Sequence, residues 1–124
     1  MTLSPALVLV VDDDLAVGES LKFALEIEGF AVRICNTGEA ALAHPDLLAA
    51  SCILLDYKMP GMDGFALLQR LAARDVRTPV ILMTAHVTPR LRQRAAAYGI
   101  HHVLEKPLFN GNLLAAIDDV LAHT

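Results

Sequence analysis

"LVLVVDDDLAV", residues Leu7 to Val17, runs five apolar residues straight into three consecutive aspartates. A short, valine-rich apolar run of this kind suits a strand covered on both faces, the property of a parallel sheet packed between helices. The carboxylates of Asp12, Asp13 and Asp14 repel one another, and one drawn into a low-dielectric setting resists ionising unless a cation or a donor compensates. The stretch therefore reads as a buried strand that ends at a place needing positive charge.

Similar apolar runs recur at Ala31 to Cys35, Cys52 to Leu55 and Val80 to Met83, with a weaker fifth at Ile100 to Leu104. Between them, apolar residues return at helical spacing, as in Leu15, Leu21, Ala24, Leu25 and then Glu28, or Phe65, Leu68, Leu71 and Ala72. Gly29 and Gly99 are placed to close the first and fourth helices, Thr37 to cap the second, and Thr88 followed by Pro89 to open the fourth. Pro79 stands at the start of a strand. Strand and helix alternate, which predicts a five-stranded, doubly wound α/β fold with helices on both faces of a parallel sheet.

At 124 residues the chain is expected to form one domain over residues 1–124. Hydrophobic residues make up 55% and charged residues 19%, against about 45–50% and about 25% in ordinary domains, which argues against disorder. The net charge of -4 disfavours direct nucleic-acid binding, which wants a basic face. The N-terminal stretch MTLSPALVLVVDDD lacks a basic segment, and its apolar run is too short for a signal peptide or a membrane span. Cys35 and Cys52 are too few and too far apart for a zinc framework, and read as buried thiols in a reducing cytoplasm.

In such a sheet, ligands bind beyond the carboxyl ends of the strands. The first run ends at Asp12, the third at Asp56, the fourth at Thr84 and the fifth near Lys106, so the polar residues that interrupt apolar runs all fall on one edge. Asp12, Asp13 and Asp56 together make an oxygen-only environment that suits a hard divalent cation such as Mg²⁺. Lys106 offers a point charge and Thr84 a hydroxyl donor, both suited to anionic oxygens. Phosphoryl transfer asks a protein chiefly for alignment and charge neutralisation, and a carboxylate can serve as the nucleophile. Asp56, on the central strand with a loop behind it, is the best nucleophile of the set.

Over nearly its full length the chain resembles the receiver domain of two-component response regulators. The likeness rests on the acidic pair after the first strand (Asp12, Asp13), "LLDYKMPGMDG" from Leu54 to Gly64, "MTA" at Met83 to Ala85, and "EKP" at Glu105 to Pro107. The resemblance implies a flavodoxin-like sheet of order 2-1-3-4-5. It implies that Asp56 takes a phosphoryl group from a histidine kinase or phosphotransfer protein. Mg²⁺, or another divalent cation such as Mn²⁺, is then held by Asp13, Asp56 and the Lys58 backbone carbonyl, with Asp12 acting mainly through water. Thr84 and Lys106 read the phosphoryl oxygens, and homodimerisation through the fourth helix and fifth strand is a further implied possibility. The family couples the hydroxyl residue to an aromatic side chain three positions before the lysine. This chain has Val103 there, which leaves His86 and Tyr98 as candidates for the readout. The strand order also implies that Cys35 and Cys52 lie on strands that are not neighbours and form no disulfide.

Bland readings account for several neighbours. Asp14 and Asp63 are expected to cap helices, and Leu108 and Phe109 to pack the last one. Arg90 and Arg94 share a helix face while Arg92 points away, as on a solvated surface. His101 and His102, adjacent in the predicted fifth strand, are expected to project to opposite faces and not to share a metal. The competing class is a phosphohydrolase with an aspartyl-phosphate intermediate, which wants a second acid two residues after the nucleophile, where this chain has Lys58. A flavin or nucleotide binder would want a phosphate-cradling loop after the first strand, and acids stand there instead.

Overall fold

In the computed structural model, residues 5–122 are described; the ends of the expected 1–124 domain lie outside them. Five strands alternate with five helices: β1 (Leu7–Val11), α1 (Leu15–Ile27), β2 (Ala31–Cys35), α2 (Gly38–Ala43), β3 (Cys52–Asp56), α3 (Gly64–Ala73), β4 (Val80–Thr84), α4 (Pro89–Ala97), β5 (Val103–Glu105) and α5 (Asn110–Ala122). The sheet is parallel with order β2-β1-β3-β4-β5. Among the described residues no helix is long and apolar enough to cross a membrane.

Side-chain alternation along the inner strands builds two cores. Leu9, Val11, Ile53, Leu55 and Leu82 face α2, α3 and α4, where Ala41, Phe65, Leu67, Leu71, Leu91 and Ala95 cover them. Val8, Val10, Cys52, Leu54, Ile81 and Met83 face the other way, against Leu21, Leu25, Leu113 and Ile117 of α1 and α5. Residues Val8 to Val11 are wholly buried, which explains why β1 shows no polar alternation. Leu15, by contrast, stands exposed at the first position of α1, outside the apolar stripe its spacing suggested.

Helix ends follow local chemistry. Asp14, Thr37, Asp63 and Thr88 each accept a backbone N–H in the first turn of the helix they precede. Gly29 and Gly99, both at positive φ, terminate α1 and α4 with paired hydrogen bonds back to the last turn. The same turn closes α3 with Asp75 at φ 56° in the place of glycine.

The fifth strand is shorter than its apolar run and shifted along it. Ile100 donates its N–H to the Ala95 carbonyl and buries its side chain, so it belongs to the α4 termination and not to the sheet. His101 and His102 precede β5; the strand expectation for them does not hold. His101 is exposed, while His102 turns its ring to Asp119 of α5 at 2.6 Å. An edge strand has one neighbour, and pairing with β4 covers only Val103 to Glu105. Cys35 and Cys52 are buried free thiols on β2 and β3, which are separated by β1.

Candidate functional site

The carboxyl ends of β1, β3 and β4 and the chain leaving β5 bring Asp12, Asp56, Thr84 and Lys106 to one edge. Asp12, Asp56 and Thr84 are the buried polar side chains among the described residues. Asp13 is exposed at the rim. One carboxylate oxygen from each of Asp12, Asp13 and Asp56 lies within 4.8 Å of the others.

The three aspartates of the opening stretch do different work. Asp12 accepts the Asp14 N–H at 2.9 Å through Oδ1 and the Lys106 ammonium at 2.8 Å through Oδ2. Asp14 accepts the N–H groups of Ala16 and Val17 and caps α1. That leaves Asp13 free to face the cleft. Lys106 also approaches Asp56 Oδ1 at 3.4 Å. Two carboxylates thus meet one ammonium while a third stands beside them, and the surplus negative charge with an all-oxygen donor set fits a divalent cation.

Burial, and then the neighbouring Asp12 charge, push the Asp56 carboxyl up to about 6, against the opposing pull of Lys106 and of the Lys58 backbone N–H. For Lys106, burial disfavours the charged form, but hydrogen bonding to Asp12 and the charges of Asp56 and Asp12 outweigh it, and its pKa rises. Thr84 bonds to its own loop: its hydroxyl donates to the His86 carbonyl at 3.3 Å, and the His86 N–H lies 3.4 Å from the same oxygen. The Lys58 side chain points to solvent.

The loop between β3 and α3 folds back tightly, with the Gly64 N–H donating to the Tyr57 carbonyl at 2.8 Å. A Cβ on Gly64 would sit 3.1 Å from Tyr57 Cα, so this glycine is needed for close backbone approach. Glu105, which in sequence is only part of the "EKP" motif, accepts the Val87 N–H at 3.0 Å through its carboxylate and holds the loop before α4. Sequence spacing gives no sign of that contact, because it joins the end of β5 to a loop eighteen residues earlier. Val103 is buried against the α4 side of the sheet. Tyr98 is partly exposed, its ring 5.6 Å from Phe65, which also meets Tyr57 edge-on at 5.4 Å. Leu108 packs against the α1 and α5 core, whereas Phe109 is 70% exposed and does not.

Comparison with known proteins is consistent throughout. The family model described as "Response regulator receiver domain" matches residues 8–118. The transcriptional regulatory protein FixJ of Bradyrhizobium diazoefficiens is 35% identical over 114 residues, covering 92% of this chain and 56% of that protein. FixJ of Azorhizobium caulinodans is 41% identical over 108 residues, covering 87% of this chain and 51% of that protein. The chain therefore spans about half the length of these curated relatives. Among solved structures, the chemotaxis protein CheY4 of Vibrio cholerae superposes with a TM-score of 0.87 at 28% identity, covering 94% of this chain and 99% of that one.

Proposed function

The chain belongs to the response regulator receiver domain family, phosphoacceptors of two-component signalling, and on that premise we propose that Asp56 is the residue that takes the phosphoryl group. The observation that carries the reading is the meeting of Asp12, Asp13 and Asp56 at one sheet edge, with Lys106 reaching Asp12 and Asp56. In the reaction, an Asp56 carboxylate oxygen attacks phosphorus while the bond to the donor's leaving atom breaks, and the leaving group departs with that electron pair. The nucleophile must be ionised, and a pKa of about 6 leaves Asp56 mostly ionised at neutral pH. Lys106 is close enough to follow a phosphoryl oxygen attached to Asp56.

Asp13, Asp56 and the Lys58 carbonyl would hold Mg²⁺, with Mn²⁺ as the alternative ion and Asp12 acting through water. When bound, the cation neutralises the carboxylates as the dianionic phosphoryl group arrives.

Thr84 has one hydroxyl proton, now given to the His86 carbonyl. Donating it to a phosphoryl oxygen breaks that bond and loosens the loop before α4. Such a difference in contacts between the two states is what lets phosphorylation shift a conformational equilibrium. With Val103 buried in place of an aromatic ring, His86 is the residue through which this chain passes the signal on. The partners supported by this reading are a histidine kinase or phosphotransfer protein as donor, and a second copy meeting through α4 and β5. The names of the curated relatives support a transcriptional output, and the two free thiols support a cytoplasmic setting. The domain acts as a switch and not as a turnover enzyme. A phosphohydrolase is disfavoured because exposed Lys58 stands where its second acid is required.

Incubation with acetyl phosphate and Mg²⁺ tests the proposal. Intact mass should gain one phosphoryl group on the wild type, none on Asp56→Ala and none with the metal chelated. No adduct on the wild type, or an equal adduct on Asp56→Ala, overturns it.

A further inference from the structure

A second cleft opens beside the phosphoacceptor, with a volume of about 430 Å³, lined by Tyr57, His86, Thr88, Arg90, Leu91 and Arg94. Its charge is one-sided, since two of its six lining residues are arginines and none is acidic. The first turn of α4 forms one wall, so the positive end of that helix adds to the field. Some surface cations have carboxylate partners: Lys22 meets Glu26, Arg33 meets Asp46 and Arg77 meets Asp75. Arg90 and Arg94 have no carboxylate partner among the described residues. In a chain of net charge -4, two guanidiniums one helical turn apart on a cleft with no acidic lining residue make a local positive patch.

Arg94 is also held in place. Its guanidinium carbon lies 4.0 Å from the centroid of the buried Phe65 ring. Stacking occupies a face of the guanidinium, while its N–H donors lie in the plane and stay available at the edge. A preoriented donor fork loses less freedom on binding a phosphate or carboxylate than a freely moving side chain. The cleft is in the size range of small-molecule sites and larger than a bare phosphate needs, and Leu91 and Tyr57 supply apolar contact for the remainder.

We propose that this cleft is an accessory anion site for a small organic phosphate, its phosphate forked by Arg90 and Arg94 and its organic part lying against Leu91 and Tyr57. The site is separate from the phosphoacceptor, using none of Asp12, Asp13, Asp56, Thr84 or Lys106. It also touches the signalling loop, because the backbone of lining residue His86 is bonded to the Thr84 hydroxyl.

The test is a backbone and arginine side-chain NMR titration of Asp56→Asn with inorganic phosphate and with phenyl phosphate, in chelator and without divalent cation. With Asp56 replaced and divalent cation removed, binding is read without phosphoryl transfer, so the outcome does not depend on whether Asp56 is the acceptor. Saturable shifts should centre on Arg90, Arg94 and Tyr57, with phenyl phosphate binding more tightly than inorganic phosphate and phenol producing none. Adding Arg90→Ala or Arg94→Ala should weaken binding on the order of tenfold, the weight of a charge-assisted hydrogen bond. Adding Arg92→Ala, which lies on the same helix but outside the cleft, should leave it unchanged. Equal weakening by Arg92→Ala would reduce the effect to diffuse electrostatics and overturn the proposal. Shifts centred on Thr84 and Lys106, or no saturable shift at all, overturn it as well.

Discussion

Lys106 donates to Asp12 Oδ2 at 2.8 Å, a shorter contact than its 3.4 Å approach to Asp56, so the ammonium is anchored on the first strand while it reaches toward the third. Asp12 is wholly buried, and Lys106 is its one side-chain cation among the described residues.

Removing that ammonium leaves the buried Asp12 charge uncompensated. Lys106→Ala is expected to destabilise the metal-free domain by about 1–3 kcal/mol, below the usual cost for a fully buried pair because Lys106 is itself partly exposed. Urea unfolding with and without Mg²⁺ checks this. Mg²⁺ should stabilise the variant more than the wild type, and an unchanged midpoint in chelator would contradict the pairing.

The raised pKa of Asp56 makes stability depend on pH with a definite sign. Its folded value of about 6 lies above the ordinary 3.8, so between these the folded chain binds more protons than the unfolded chain. Its contribution is complete below about 4 and is lost as pH rises through about 6. Thermal melts without metal should therefore show Asp56→Asn more stable than wild type at pH 7.5, by about 1–3 kcal/mol. The difference should close toward pH 4, and a gap that widened on acidification would reverse the inferred sign.

Burial pushes the Cys35 thiol up to about 11 and the Cys52 thiol up to about 12. Neither thiolate forms appreciably at pH 8, and β1 stands between their strands. Iodoacetamide at pH 8 should leave the native protein unmodified and add two groups after denaturation. Rapid native labelling, or a mass two hydrogen atoms short from a disulfide, would refute this account.

Asp75 adopts φ 56° at the end of α3, where the other two helix ends of this kind carry glycine. Asp75→Gly relieves the left-handed strain at the loss of an exposed contact to Arg77, which contributes little. A gain of about 0.5–1 kcal/mol in the urea midpoint is expected. A loss of stability would place more weight on the Arg77 contact than its exposure suggests.

Much of this was legible because short-range rules suffice for it. Apolar runs located β1 to β4 to within a residue, since a strand buried on both faces leaves little room for polar side chains. Capping residues and glycines marked helix ends through bonds that span only a few positions. The fifth strand was misplaced because Ile100 is apolar for a different reason, being the buried end of the α4 turn. Apolarity reports burial and not the partner of the backbone.

Legible in the chain alone were the alternation of strand and helix, the sheet order implied by the family likeness, and which carboxylates and lysine end at one edge. Periodicity and position along each strand are properties of the chain alone. Folding settled how the three opening aspartates divide their work: Asp12 is buried on Lys106, Asp13 stands exposed beside Asp12 and Asp56, and Asp14 caps α1. It also decided that Thr84 is bonded to His86, that Glu105 holds Val87, and that Arg94 stacks on Phe65 beside an open cleft. Those contacts are set by the packing of distant segments, and no local pattern encodes them.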